Sequence, residues 1–86
     1  MINLLIVDDE KTTRDTLYHK IDWEGLGITS VAVARNGLDA LAVCQDFEPD
    51  ICLCDVKMPK MNGIQLGYCL REKFPDCKII YLSGYC

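Results

Sequence analysis

Asp50-Ile51-Cys52-Leu53-Cys54-Asp55-Val56-Lys57-Met58-Pro59-Lys60-Met61-Asn62-Gly63 is the stretch on which the fold turns. Ile51 to Cys54 is uniformly apolar and stops at a carboxylate, and a proline-containing irregular loop follows, closing on Asn-Gly. A short apolar run without alternation is a strand buried on both faces, which is the mark of a parallel sheet. The N-terminus repeats the pattern, since Ile2 to Val7 runs apolar until Asp8-Asp9-Glu10 breaks it. Two buried strands therefore each end in acid.

Between them, Thr13, Leu17 and Ile21 stand four apart and predict a helix from about Thr13 to Ile21. Gly25 and Gly27 punctuate the following loop, and Ile28 to Ala34 reads as a more mixed strand. Asn36 offers an N-cap with the acidic Asp39 three positions on. Leu38, Leu41, Ala42 and Gln45 carry that helix towards Glu48, and Pro49 ends it. Beyond the quoted stretch, Asn62 caps a third helix with an apolar face of Leu66, Leu70 and Phe74. Gly67 inside it costs roughly 1 kcal/mol relative to alanine, which tight packing against a neighbour would explain. Pro75-Asp76 stops the helix, and Cys77 to Leu82 forms a fourth strand reaching Ser83-Gly84. The order βαβαβαβ, with crossover helices between parallel strands, is that of a doubly wound α/β fold. In a flavodoxin-like strand order 2-1-3-4-5, ligands gather between strands 1 and 3, where Asp8-Asp9 and Asp55 lie.

Composition narrows the function. A chain of 86 residues holds a single domain, and its net charge of −4 with scattered lysines and arginines disfavours nucleic-acid contact by this segment. The N-terminus lacks the basic flank and small-residue cleavage site of a secretory signal, and no stretch is long enough to span a membrane. The six cysteines read as reduced thiols in the cytoplasm. Cys52 and Cys54 lack the C-x2-C spacing of a zinc site. Cys44, Cys52, Cys54, Cys69 and Cys77 are expected as small core residues, with terminal Cys86 exposed and reactive. His19 has no second histidine or cysteine in register and reads as an exposed helix residue, neither ligand nor phosphodonor.

Three carboxylates converging at one sheet edge repel each other, and such a cluster persists where a cation neutralises it or where one member is reactive. Magnesium suits an all-oxygen set of carboxylates, a backbone carbonyl and water. A carboxylate forms an acyl phosphate when a cation and fixed donors offset the incoming charge, which makes Asp55 the candidate acceptor. Ser83 closes the fourth strand at the same edge and offers a hydroxyl, with Gly84 leaving space beside it.

Leu5-Ile6-Val7-Asp8-Asp9-Glu10, the stretch from Asp50 to Gly63, and Ile79-Ile80-Tyr81-Leu82-Ser83-Gly84 together resemble the receiver domains of bacterial two-component response regulators, across essentially the whole chain. The resemblance implies that Asp8 and Asp9 form an acidic pocket, that Asp55 is phosphorylated by a sensor histidine kinase, and that the Lys57 carbonyl helps bind magnesium. It also implies that Ser83 is a switch hydroxyl. On this reading the chain is no enzyme beyond its own phosphotransfer. Ile21-Asp22-Trp23-Glu24-Gly25-Leu26-Gly27-Ile28 is similar to the connection in regulators carrying an AraC-type helix-turn-helix output domain further along. Against the family pattern, residues 1–86 form a receiver domain incomplete at the C-terminus. The fourth helix, the fifth strand with its phosphoryl-contacting lysine, and the fifth helix are absent. Strand 4 then becomes an apolar edge, and a homodimer or strand exchange is expected there. Two rivals fit less well. A haloacid-dehalogenase-type phosphatase wants an aspartate where Lys57 stands, and a flavodoxin-like flavin binder wants a Ser/Thr/Gly-rich phosphate loop where Asp8-Asp9-Glu10 stand.

Overall fold

The computed structural model describes residues 1–82. Strands β1 (Asn3–Val7), β2 (Ser30–Ala34), β3 (Ile51–Asp55) and β4 (Lys78–Leu82) alternate with helices α1 (Lys11–Lys20), α2 (Gly37–Val43) and α3 (Gly63–Lys73). All four strands run parallel in the order β2-β1-β3-β4, so the chain reverses direction across the sheet between β1 and β3. This is the doubly wound, flavodoxin-like α/β arrangement expected from the apolar runs. Register aligns the strand ends: Val7 lies opposite both Ala34 and Cys54, and Asp55 lies opposite Leu82. The residues following β1 and ending β3 thus emerge side by side.

The core explains why β1 and β3 read as continuous apolar runs. Leu5, Val7, Cys52 and Cys54 turn to one face and pack with Ala40 and Cys44 from α2 and with Leu66 and Leu70 from α3. Leu4 and Ile6, alternating to the opposite face, are also fully covered, on the side where α1 packs against β1 and β2. At the far edge of the sheet the side chain of Asp50 accepts the Asn3 N–H at 2.7 Å, and the Asn3 amide donates to the Glu48 carbonyl at 3.1 Å. These contacts pin β1 to the start of β3.

Local chemistry corrects several boundaries. Helix α1 begins at Lys11 instead of Thr13, because the Arg14 N–H already donates to the Glu10 carbonyl at 3.0 Å. It ends where the Trp23 indole N–H caps the Leu17 carbonyl at 2.9 Å. Strand β2 begins at Ser30 instead of Ile28, whose N–H bonds the Trp23 carbonyl within the preceding turn. Helix α2 stops at Val43, short of Glu48, since the N–H groups of Gln45 and Asp46 tighten to carbonyls three residues back. Its inward side is made by Gly37 and Ala40 with Cys44 just beyond its end, while Leu41 is partly buried against the core and Leu38 is exposed. Small residues are selected there because Met61 lies against Gly37, whose added Cβ would sit 2.6 Å from the Met61 sulfur. The third helix matches its expected face, with Leu66 and Leu70 buried and Phe74 packed against the core. Gly67 has the close neighbour that its cost demanded, since a Cβ would collide with the Tyr81 hydroxyl.

Candidate functional site

At the C-terminal edge of the sheet, Asp8 follows directly on β1 and is buried to 4% exposure, while Asp9 is exposed and Asp55 is half-buried. One carboxylate oxygen from each lies within 4.8 Å of the others. The expected convergence of Asp8, Asp9 and Asp55 is therefore what the fold produces. They line an open cavity of about 360 Å3 together with Glu10, Thr13, Lys57 and Leu82.

Each carboxylate is held by its own local turn. Asp8 donates its N–H to the Ala34 carbonyl of β2 at 3.2 Å, and its Oδ1 accepts the Glu10 N–H at 2.9 Å. Its backbone carbonyl accepts the Arg14 guanidinium at 2.8 Å. Asp55 Oδ1 accepts the Lys57 N–H at 3.3 Å, a short-range turn that starts the loop. That loop is closed at its base, where the Gly63 N–H donates to the Val56 carbonyl at 2.9 Å. A reciprocal capping box locks the following helix: the Asn62 side chain accepts the Gln65 N–H and the Gln65 side chain accepts the Asn62 N–H, both at 2.9 Å. Gly63 is required because a Cβ there would overlap the Asp55 backbone carbonyl. Lys60, at φ 68°, takes the left-handed conformation within the same loop.

Burial and mutual repulsion act together on the cluster. Burial holds the Asp8 carboxyl above its ordinary value of 3.8; the Glu10 N–H opposes this, and the negative charges of Asp55, Asp9 and Glu10 reinforce it. Beneath the site, the Cys54 thiol points at the carbonyls of Asp55 and Gly63, at 3.4 and 3.9 Å. Cys52, hydrogen-bonded to Cys54 and buried, is held far above the usual thiol range, which keeps it protonated and inert. Cys44, Cys52, Cys54 and Cys77 are buried and Cys69 partly so, all as free thiols, in accord with the expected core role; Cys86 lies outside the described residues. The donor set at the acidic edge is all oxygen, matching a hard divalent ion and not zinc. His19 is exposed on α1, its ring edge-on to that of Tyr18.

Lys57, whose carbonyl the resemblance assigns to magnesium, lines the cavity and is exposed. Ser83, the expected switch hydroxyl, lies outside the described residues. Sequence reasoning assigned no role to Glu10, Thr13 or Arg14. Glu10 and Thr13 adjoin the acidic pair on the loop and first turn, a positional signal that was readable. The reach of Arg14 back to the Asp8 carbonyl had no signal in the spacing of residue types. No helix among the described residues is long and apolar enough to cross a membrane.

Comparison with known proteins gives this geometry a context. The profile of the response regulator receiver domain matches residues 4–86. The transcriptional regulatory protein HptR of Staphylococcus aureus is 32% identical over 85 residues, a match covering 99% of this chain and 33% of HptR. The chain thus spans about a third of the length of the curated relatives it matches. A two component transcriptional regulator AraC from Clostridium phytofermentans, solved as a crystal structure, is 40% identical with a TM-score of 0.92, over 99% of this chain and 68% of that one. The response regulator TrrA of Thermotoga maritima, crystallised with magnesium and BeF, is 32% identical with a TM-score of 0.83, over 99% of this chain and 71% of TrrA. TrrA is also solved in complex with the histidine kinase ThkA, where the TM-score is 0.82 at 31% identity, over 100% of this chain and 72% of that one. With the profile match running from Leu4 in β1 to the last residue, and the sheet superposing on solved response regulators at these identities, the chain belongs to the response regulator receiver domain family.

Proposed function

We propose that Asp55 accepts a phosphoryl group from a sensor histidine kinase, and that the modified receiver switches an output domain outside this chain. The observation that carries the proposal is the gathering of three carboxylate oxygens within 4.8 Å at the point where the strand order reverses. In the transfer, an Asp55 carboxylate oxygen forms a bond to phosphorus as the phosphorus–nitrogen bond of a phosphohistidine breaks, and the electron pair returns to the imidazole. Magnesium, held by Asp8, Asp9, Asp55 and the Lys57 carbonyl, would supply the positive charge that lets an anionic nucleophile meet an anionic phosphoryl group. Asp8 and Asp9 provide ligands, and the Glu10 turn keeps Asp8 directed at the cavity. Ser83 is assigned the switch hydroxyl that donates to a phosphoryl oxygen.

The relatives support this reading: TrrA has been crystallised with magnesium and BeF and with its kinase, and HptR is a transcriptional regulatory protein. A helix-turn-helix output domain, and not this acidic segment, is assigned the contact with nucleic acid. Residues 1–86 act as one receiver unit, with reduced thiols and a cytoplasmic setting as part of the same proposal. A homodimer or strand exchange belongs to the same proposal, and light scattering after size-exclusion would detect it.

The experiment is phosphoryl labelling by a phosphohistidine donor or an acyl phosphate, read by intact mass. It is done on this chain and on a version extended by the elements that complete the family pattern after Cys86. The extended form is expected to label and its Asp55→Asn variant to stay unlabelled. Acid-labile phosphate retained on Asp55→Asn would overturn the assignment.

A further inference from the structure

We propose that Arg14 is a positioning residue for the divalent cation, acting through the backbone of Asp8 without touching the ion; this rests on the reading of the acidic pocket given above. Asp8 is tethered at three atoms. Its N–H is held by Ala34 on the neighbouring strand, its Oδ1 by the Glu10 N–H, and its carbonyl oxygen by Arg14 Nη1 at 2.8 Å. That carbonyl belongs to the peptide joining Asp8 to Asp9, and a peptide unit is planar and rigid. Anchoring its oxygen therefore sets the direction in which Asp9 leaves β1, and with it the separation of the two carboxylates.

Two further observations place this link where it matters. Helix α1 starts at Glu10 without a side-chain cap and with no acidic residue in its first turn, so the usual devices that fix a helix start are missing. The Arg14 side chain, one turn into the helix, reaches back to the Asp8 carbonyl at 2.8 Å and so ties α1 to the acidic turn. The guanidinium presents a fixed, planar set of donors, so the contact has a defined direction. Because it binds a carbonyl, it leaves the carboxylate oxygens facing the cavity available as ligands. A tether in that place holds the ligands near their working geometry before any ion arrives.

Magnesium demands near-ideal octahedral geometry at short distances, whereas calcium accepts a looser, larger shell. A clamp that sets ligand geometry should therefore affect magnesium more than calcium. A contact that merely stabilises α1 would leave the ratio of the two affinities unchanged.

The test is titration of the apo protein with magnesium chloride and, separately, calcium chloride, followed by amide shifts in NMR, with melting in chelator as the fold control. Arg14→Ala is expected to weaken magnesium binding about tenfold, within the range seen when residues supporting metal ligands are removed, and to lower the magnesium-to-calcium ratio. Arg14→Lys, which retains a charged donor, should recover most of both. A folded Arg14→Ala with unchanged magnesium affinity and ratio overturns the proposal, as does a lysine variant no better than alanine. If Arg14→Ala does not fold, the comparison moves to Arg14→Gln, where an unchanged ratio is equally fatal. Asp9→Asn runs beside these. If it too leaves magnesium binding untouched, the pocket reading has failed; if it alone weakens binding, only the role of Arg14 has.

Discussion

Replacing Asp8 by asparagine should stabilise the protein without divalent ions and destabilise it, relative to wild type, when magnesium is present. The asparagine carbonyl can still accept the Glu10 N–H, so the turn survives while the charge goes. Like charges at the 4.8 Å span of this cluster repel by about 3–4 kcal/mol at the effective dielectric of a protein surface and about 1 kcal/mol in water. The cavity is open and Asp9 is exposed, so the lower figure is the better guide for each of the pairs Asp8 makes. Against this, a charge-assisted hydrogen bond to Glu10 becomes a neutral one, costing roughly 0.5–1 kcal/mol. The net expectation is a gain of about 1 kcal/mol, or a Tm raised by roughly 4–8 °C for a domain of this size. The pH dependence has a definite sign. A carboxyl held above its ordinary 3.8 keeps its proton in the folded state where the unfolded chain has lost it, so wild-type stability falls as pH rises through that window. The variant lacks that slope, and its advantage should grow from acid towards neutrality. Magnesium at a hundred times its Kd adds about 2.7 kcal/mol to wild type and much less to the variant, reversing the order. Thermal melts at several pH values, in chelator and in magnesium, measure all of this. An Asp8→Asn protein that melts below wild type in chelator at neutral pH would refute the claim that the cluster is electrostatically strained.

Gly67→Ala should destabilise by about 1 kcal/mol despite the better helix propensity of alanine, because the new methyl meets the Tyr81 hydroxyl. In a Tyr81→Phe background the same change should become neutral or favourable, and simple additivity in urea midpoints would refute the contact. Asn62→Ala removes the acceptor of the Gln65 N–H but keeps the backbone N–H that donates to the Gln65 side chain, and should cost about 1 kcal/mol in urea unfolding, while a loss below about 0.3 kcal/mol would show that the side-chain half of the box contributes little.

The central strands were the most readable elements because β1 is covered on both faces from Leu4 to Val7 and β3 is apolar from Ile51 to Cys54, so each run stands out against the acids that follow it. Helix α3 was readable for a similar reason, since its capping residue and its stripe of Leu66, Leu70 and Phe74 agree. Helix α2 was harder to read. Its inward residues are glycine, alanine and cysteine, chosen for closeness instead of bulk, so no apolar stripe marked where it ends, and the helix stops at Val43 instead of running towards Glu48. The three carboxylates were legible because parallel register brings strand ends together, a consequence of topology that survives small errors in boundaries. The Arg14 clamp was not, because a long side chain folding back onto a backbone carbonyl leaves no periodic trace.

The strand order also governs how the chain comes into being. Strand β1 sits between β2 and β3, yet Asn3 and its partner Asp50 are 47 residues apart. A ribosome adding about 5–20 residues per second leaves roughly 2–9 s between the emergence of one and the other. Through that interval β1 pairs at most with β2, and its second edge, formed by some of the most apolar residues in the chain, stands open. Crosslinking on ribosome-bound fragments is expected to find contacts at Leu4–Val7 that are lost once β3 is out.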